Sequence, residues 1–426
     1  MELILYTLRS LSCVVVQPSL IVLLLIMGIG FYLKNKKLTT LQKMIIGEEL
    51  TSPLELTLSQ IVLGVLAGIL CSIVFTVLGV TFTETSGIQL LFLLSIILMF
   101  IRPRFVCFSY SGAILGLVSI IVTYICKLSG FKDRILDIDI MCLITFIGVM
   151  HIVESLLVMF DGDKGSIPVF TKKEKNIVGG YSLNRYWLMP VCIFLAYIIT
   201  GNSDVSSESI ATPSWWPLLG SNYLTTLLAS ASIIAMPFFG VIGYSSVTFT
   251  RQKNKKKISS GLYILLFGVI VTAAAQLCRF GIIAEVIVLI CTPIGHEFML
   301  RYQQKQEKEG ECLFVSDDEG ICILEIVPYS ELYNHGIRPG DKIIRLNGCE
   351  VTSEREVYEK AKSVVNNLVL DIKLRNGEEK TIELKEKNKN GIRALLVPRE
   401  VDKSQMVSVE EEKFSDILNS VKDKAE

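Results

Sequence analysis

Histidine is scarce in this chain: among 426 residues there are three, His151, His296 and His335. That scarcity excludes the H-E-x-x-H arrangement, in which two histidines at i and i+4 of one helix hold a catalytic zinc. His296-Glu297 begins such a pattern, but Leu300 stands where the second histidine is required. His151 is followed by Glu154, and Ser155 occupies its i+4 position. The 11 cysteines include no C-x-x-C pair and no zinc-like spacing, so they read as small apolar packing residues. Cys312, Cys322 and Cys349, in the polar C-terminal part, fit a reducing compartment better than a disulfide framework. Net charge is zero, so the balance gives no argument for nucleic acid. Only Arg9 precedes the first apolar run, with no small-residue cleavage site behind it, and that run reads as a retained span.

What is abundant is apolar sequence. Hydrophobic residues make up 51% of the chain and mean hydropathy is +0.50. They fall in blocks at Cys13–Leu33, Ile61–Val80, Ile88–Ile101, Phe105–Cys126, Met141–Phe160, Trp187–Thr200, Tyr223–Phe249, Leu262–Cys278 and Phe280–Leu300. A bilayer demands roughly 18 apolar residues of a spanning helix. Residues 1–303 therefore read as an α-helical polytopic membrane domain with about seven to nine spans, nine giving the best fit. Basic residues recur after alternate blocks: Lys34, Lys36 and Lys37, then Arg102 and Arg104, then Lys172 and Lys173, then Lys253 to Lys257, then Arg301 and Lys305. Since cytoplasmic loops retain the excess of Lys and Arg, the C-terminal part is expected in the cytoplasm and the N-terminus outside.

The period changes from Cys312. GICILEIVP, Gly320 to Pro328, reads as a strand, and Lys342–Leu346 as another, lying between turns at Pro339-Gly340-Asp341 and Asn347-Gly348. TSEREVYEKAKSVV begins with Thr352 or Ser353 as helix cap, and Asn376-Gly377 divides a strand hairpin. This order, with GIRPGDKIIRLNG inside it, resembles a PDZ domain of the bacterial kind. The resemblance implies a mixed α/β, mostly β, domain over residues 304–398, with its core at 312–398. It also implies an extended peptide adding to a sheet edge beside a helix. The matching positions are Gly320, Ile321, Cys322 and Ile323 for the edge, and Val357, Ala361 and Val364 for the helix wall. Asp317, Asp318 and Glu319 precede that edge, so an internal or basic segment is as good a ligand as a free C-terminus. The alternative is a module that only packs on its own membrane part.

Ionisable residues at membrane depth default to functional candidates. Here they are His151 and Glu154 on one face of the fifth block, with Arg279 and Glu285 in the last hairpin. A buried polar lock between helices is the plainer reading. FDGD at Phe160–Asp163 is similar to the aspartate motif of intramembrane zinc proteases, but it precedes His296-Glu297, the reverse of their order. With no serine-protease loop either, no enzyme, cofactor or metal is expected. A transporter-like membrane protein is the alternative, without an inverted repeat to support it.

Basic cytoplasmic loops, a span with MHIVESLLV, the segment GGYSLNRYW before the next block, and a single C-terminal PDZ-like module together resemble the MinJ family, division-site topology proteins of Gram-positive rods. The resemblance implies a multi-pass scaffold of the cytoplasmic membrane, at septum and poles. It would link a DivIVA-like coiled-coil scaffold to a MinD-like ATPase of the Min division inhibitor, without catalysis. Residues 399–426 read as an amphipathic or disordered tail, with a capping box expected at Ser408 and Glu411 and an apolar stripe through Phe414, Ile417, Leu418 and Val421.

Overall fold

A computed structural model describes residues 1–101, 103–130, 136–173, 176–198, 213, 215–219, 228, 231–363, 367–385 and 392–399. Pro18 divides the first apolar region, because it has no N–H to continue the helix before it. The chain there forms α1 (Glu2–Val16) and α2 (Pro18–Ile46), which ends on Gly47. Ser52 caps α3 (Pro53–Leu78) by accepting from the Glu55 N–H at 3.1 Å. The short α4 (Gln89–Ile101) and α5 (Phe108–Leu128) follow, and then α6 (Ile140–Asp161), capped by Asp139. After a sheet come α7 (Lys253–Ala274), extended by a 3-10 turn to Phe280, and α8 (Ile282–Glu309).

Among the described residues, five helices are long and apolar enough to cross a membrane: α3, α5, α6, α7 with its extension, and α8. These helices fit a polytopic membrane protein. The most apolar window of α6 is 83% buried within the protein, against 28–39% for the other four. α6 is therefore the central helix, and the others turn broad faces outward.

Two of the expected spans are not helices. Trp187–Thr200 lies largely in β3 (Asn176–Ile198), and Tyr223–Phe249 contains β4 (Ala231–Thr248). The two pair antiparallel from Tyr181↔Thr248 to Ile198↔Ala231. β2 (Ile167–Lys173) and β1 (Thr81–Thr83) flank the two ends of β3 on its other side. Among the described residues no strand pairs with the stretch of β3 between them on that side, and α3 covers it instead. A Cβ on Gly64 or Gly68 would lie 2.1 Å from the carbonyl oxygen of Leu188 or Pro190, so only glycine lets the helix come so close. Ser72 of α3 accepts the Cys192 N–H at 2.9 Å, and Pro190 has no N–H to satisfy. Extended backbone in an apolar setting persists only where protein supplies such partners.

The C-terminal region builds a second sheet: β6 (Ile321–Ile326), β7 (Lys342–Leu346), β8 (Cys349–Glu350), β9 (Leu368–Lys373), β10 (Glu379–Leu384) and β11 (Ala394–Leu396). Its order is β10-β9-β7-β6-β11, with β8 beside β7. A short α9 (Glu331–Asn334) and α10 (Glu354–Ser363) accompany it. Gly377, at φ 88°, turns the β9–β10 hairpin. The stub β5 (Phe314–Val315) pairs with β3 of the first sheet.

Candidate functional site

The strand expected to form a peptide-binding edge is β6, and it has neighbours on both sides. Ile321 and Cys322 pair with Ile343 and Lys342 of β7. Ile323 and Ile326 pair with Leu396 and Ala394 of β11, and the Val397 N–H donates to the Cys322 carbonyl at 2.8 Å. Strand addition at Ile321–Ile323 therefore has no open edge. Gly320 is needed for a close approach, but to β7 rather than to a ligand: a Cβ there would lie 2.6 Å from the Ile343 oxygen. Val357 of α10 is fully buried in the module core with Ile321 and Ile323, and Ala361 packs against the same cluster. Val364 lies outside the described residues, as do Ser408, Glu411 and the apolar stripe of the tail. The groove expected between edge and helix is thus filled by the module's own core.

The other face of β6 explains why all six of its residues are buried. In a strand, alternate side chains point to opposite faces. Ile321 and Ile323 enter the module core, and Ile326 joins them because a bulge in the β6–β11 pairing shifts the alternation after Ile323. Cys322 and Leu324 join Phe314 and Val397 in the core shared with the membrane body. Polar contacts fasten the same interface. Lys253 Nζ sits 2.7 Å from Glu325 Oε2, with the Glu325 side chain 6% exposed. The Tyr181 hydroxyl donates to the Leu324 carbonyl, and Arg393 Nε donates to Glu48 Oε1 at 2.7 Å. Burial at this seam pushes the Cys322 thiol up to about 12.

Within the helices, His151 and Glu154 do lie one turn apart on α6. His151 is buried, and its Nδ1 donates to the Ile147 carbonyl at 2.7 Å. Its Nε2 meets Cys107 Sγ at 3.1 Å and Ser109 Oγ at 3.3 Å, both at the start of α5. His296 of α8 completes a group in which Cys107, His151 and His296 each offer a ligand-type atom within 4.8 Å of the others. Sequence reasoning missed this grouping. Cys107 read as an apolar packing residue, and His296 was judged only against a helical i, i+4 partner. Arg279 and Glu285 do not join it: Arg279 is exposed at the turn before α8, and Glu285 is half-buried in the first turn of that helix.

Asp161, in the FDGD segment, is engaged elsewhere. It accepts from Arg185 Nε at 2.9 Å and from Trp187 Nε1 at 2.9 Å, and Lys164 Nζ lies 3.2 Å away. Arg185, almost wholly buried, also reaches Ser59 Oγ at 2.6 Å. This network ties α6, β3 and α3 together, and it leaves the Asp161 carboxylate with a structural task.

The chain is 24% identical over 235 residues to a Bacillus subtilis (strain 168) protein described as "Cell division topological determinant MinJ". It is MinJ-like. The likeness spans 55% of each chain, so the chain covers about half the length of that relative. No family model matches, and no solved structure matches. With its five long apolar helices, this MinJ-like chain is a membrane protein.

Proposed function

We propose that this chain is a membrane-anchored, non-enzymatic adaptor in the placement of the division site. The observation that carries the reading is its likeness, over 235 residues, to a protein named for division topology. The helical body supplies the membrane anchor, and the C-terminal region supplies a PDZ-type interaction module. The Pro339-Gly340-Asp341 turn between β6 and β7, the helix α10 and the β9–β10 hairpin support that assignment. Because β6 is enclosed, partner recognition falls to the module's outer surface, and docking on the membrane body holds that surface in a fixed orientation. The partners we assign are a DivIVA-like coiled-coil scaffold and a MinD-like ATPase, on the cytoplasmic side at septa and poles of a Gram-positive cell.

The test is localisation with co-purification. A fluorescent fusion of the full chain is expected at septa and poles, and the solubilised protein is expected to retain a coiled-coil polar scaffold. Uniform membrane fluorescence in dividing cells, with neither partner retained, would overturn the proposal.

A further inference from the structure

We propose that Cys107, His151 and His296 hold a divalent metal ion of the zinc class, with Glu154 nearby to balance its charge. The three donors come from three helices: Cys107 caps α5, His151 lies in α6 and His296 in α8. They include two of the three histidines in the chain. Their ligand atoms lie within 4.8 Å of one another, and both histidines are buried.

The surroundings set both rings for ligation. A carbonyl can only accept, so the Ile147 oxygen at 2.7 Å requires the proton of His151 on Nδ1. In the neutral ring this leaves a lone pair on Nε2, the atom that faces Cys107 Sγ. For His296, the Tyr110 hydroxyl lies 3.2 Å from Nδ1 and 3.0 Å from Glu297 Oε2. A carboxylate accepts, so Tyr110 donates to Glu297 and takes the His296 Nδ1–H, again leaving Nε2 to ligate. Metal-binding histidines are oriented in this way, by carbonyls and carboxylates on the far ring nitrogen.

The donor set selects the ion. One thiolate and two imidazoles favour zinc or copper over magnesium or calcium, which prefer oxygen. Charge separates zinc from Cu(I). A buried site is least costly when neutral, and Glu154, one turn beyond His151, is within electrostatic reach of all three donors. A divalent ion balances one thiolate and one carboxylate, whereas Cu(I) would leave the carboxylate uncompensated. Three protein donors also suit zinc, which takes three such ligands and leaves its fourth tetrahedral position to a water. The ion would pin α5 and α8 to the central helix.

The experiment uses the full chain purified in detergent, with bound metal measured by mass spectrometry. After zinc is supplied and excess removed, about one zinc per chain is expected. Cobalt(II) in its place should give a near-ultraviolet thiolate charge-transfer band. Cys107→Ser should abolish that band, and Cys126→Ser should leave it intact. Tyr110→Phe, which keeps the ring and removes the relay, should weaken zinc binding about 10- to 100-fold. A monodisperse elution profile for each variant controls for folding. A folded wild-type protein that holds no zinc and shows no cobalt–thiolate band would reduce the group to a hydrogen-bonded polar lock. A band lost equally in Cys126→Ser would also overturn the assignment.

Discussion

Docking of the C-terminal module can be tested through a cysteine the protein already has. Cys322 faces the membrane body and is fully buried, whereas Cys349 on β8 of the same module is exposed. The perturbation is Glu325→Lys, which places a second cation against Lys253. At 2.7 Å the native pair has a gross attraction of about 6 kcal/mol for an effective dielectric constant near 20. Desolvation of Glu325, and solvent screening at Lys253, which is 31% exposed, reduce this to a net contribution of about 2 kcal/mol. Losing that amount shifts the docking equilibrium about 30-fold toward the open state. Release also returns the Cys322 thiol from about 12 toward its ordinary value, raising its thiolate fraction near neutral pH. Peptide-level mass spectrometry after maleimide labelling of membranes reads both cysteines at once. Cys322 in the native protein should label far more slowly than Cys349. In Glu325→Lys its rate should rise at least about 30-fold, and the charge swap with Lys253→Glu should recover much of the protection. Equal rates for Cys322 and Cys349 in the native protein would refute the docked arrangement. No acceleration in Glu325→Lys would refute the role given to the ion pair.

Three further outcomes follow from particular contacts. Val357→Arg places a cation in the module core, so limited proteolysis should find the C-terminal module degraded and the membrane body intact; an intact module would show that Val357 lines a groove after all. Asp161→Ala leaves buried Arg185 without its counter-charge and should cost about 3–5 kcal/mol, read as a lowered melting temperature in detergent; an unchanged melting temperature would remove the network from the account. Hydrogen bonds from Lys360 and from Thr352 hold Glu356 down to about 2, so its contribution is fully present above the ordinary carboxylate range and is lost as pH falls through about 2. NMR titration of its side chain should show a midpoint well below that of an exposed glutamate, and a midpoint near 4 would break the reasoning.

The C-terminal elements were legible because turns punctuate them: Pro339-Gly340-Asp341 and Asn376-Gly377 stand where the structure reverses direction. Helices α3, α5, α6 and α8 follow apolar blocks of spanning length. The β3–β4 hairpin was not legible. From Trp187 onward β3 is buried on both faces, so the period of two that marks a strand is absent there, and long apolar runs such as those of β3 and β4 read as helices. The enclosed state of β6 was hidden for another reason. Its second neighbour, β11, is three residues long and follows a long intervening stretch, and only tertiary pairing reveals it. The group at Cys107, His151 and His296 joins three helices far apart in sequence, which spacing within one helix cannot disclose.

The central claim, a part in placing the division site, is tested most directly by septum position. Cells depleted of the protein should be measured by membrane-stain microscopy, with expression restored from an inducible copy. The account requires elongated cells and septa displaced from mid-cell on depletion, correction by the full chain, and failure of a chain truncated after Gln306 that still inserts in the membrane. Mid-cell septa and normal lengths in depleted cells would contradict it. Correction by the truncated chain would place the function in the helices and remove it from the C-terminal module.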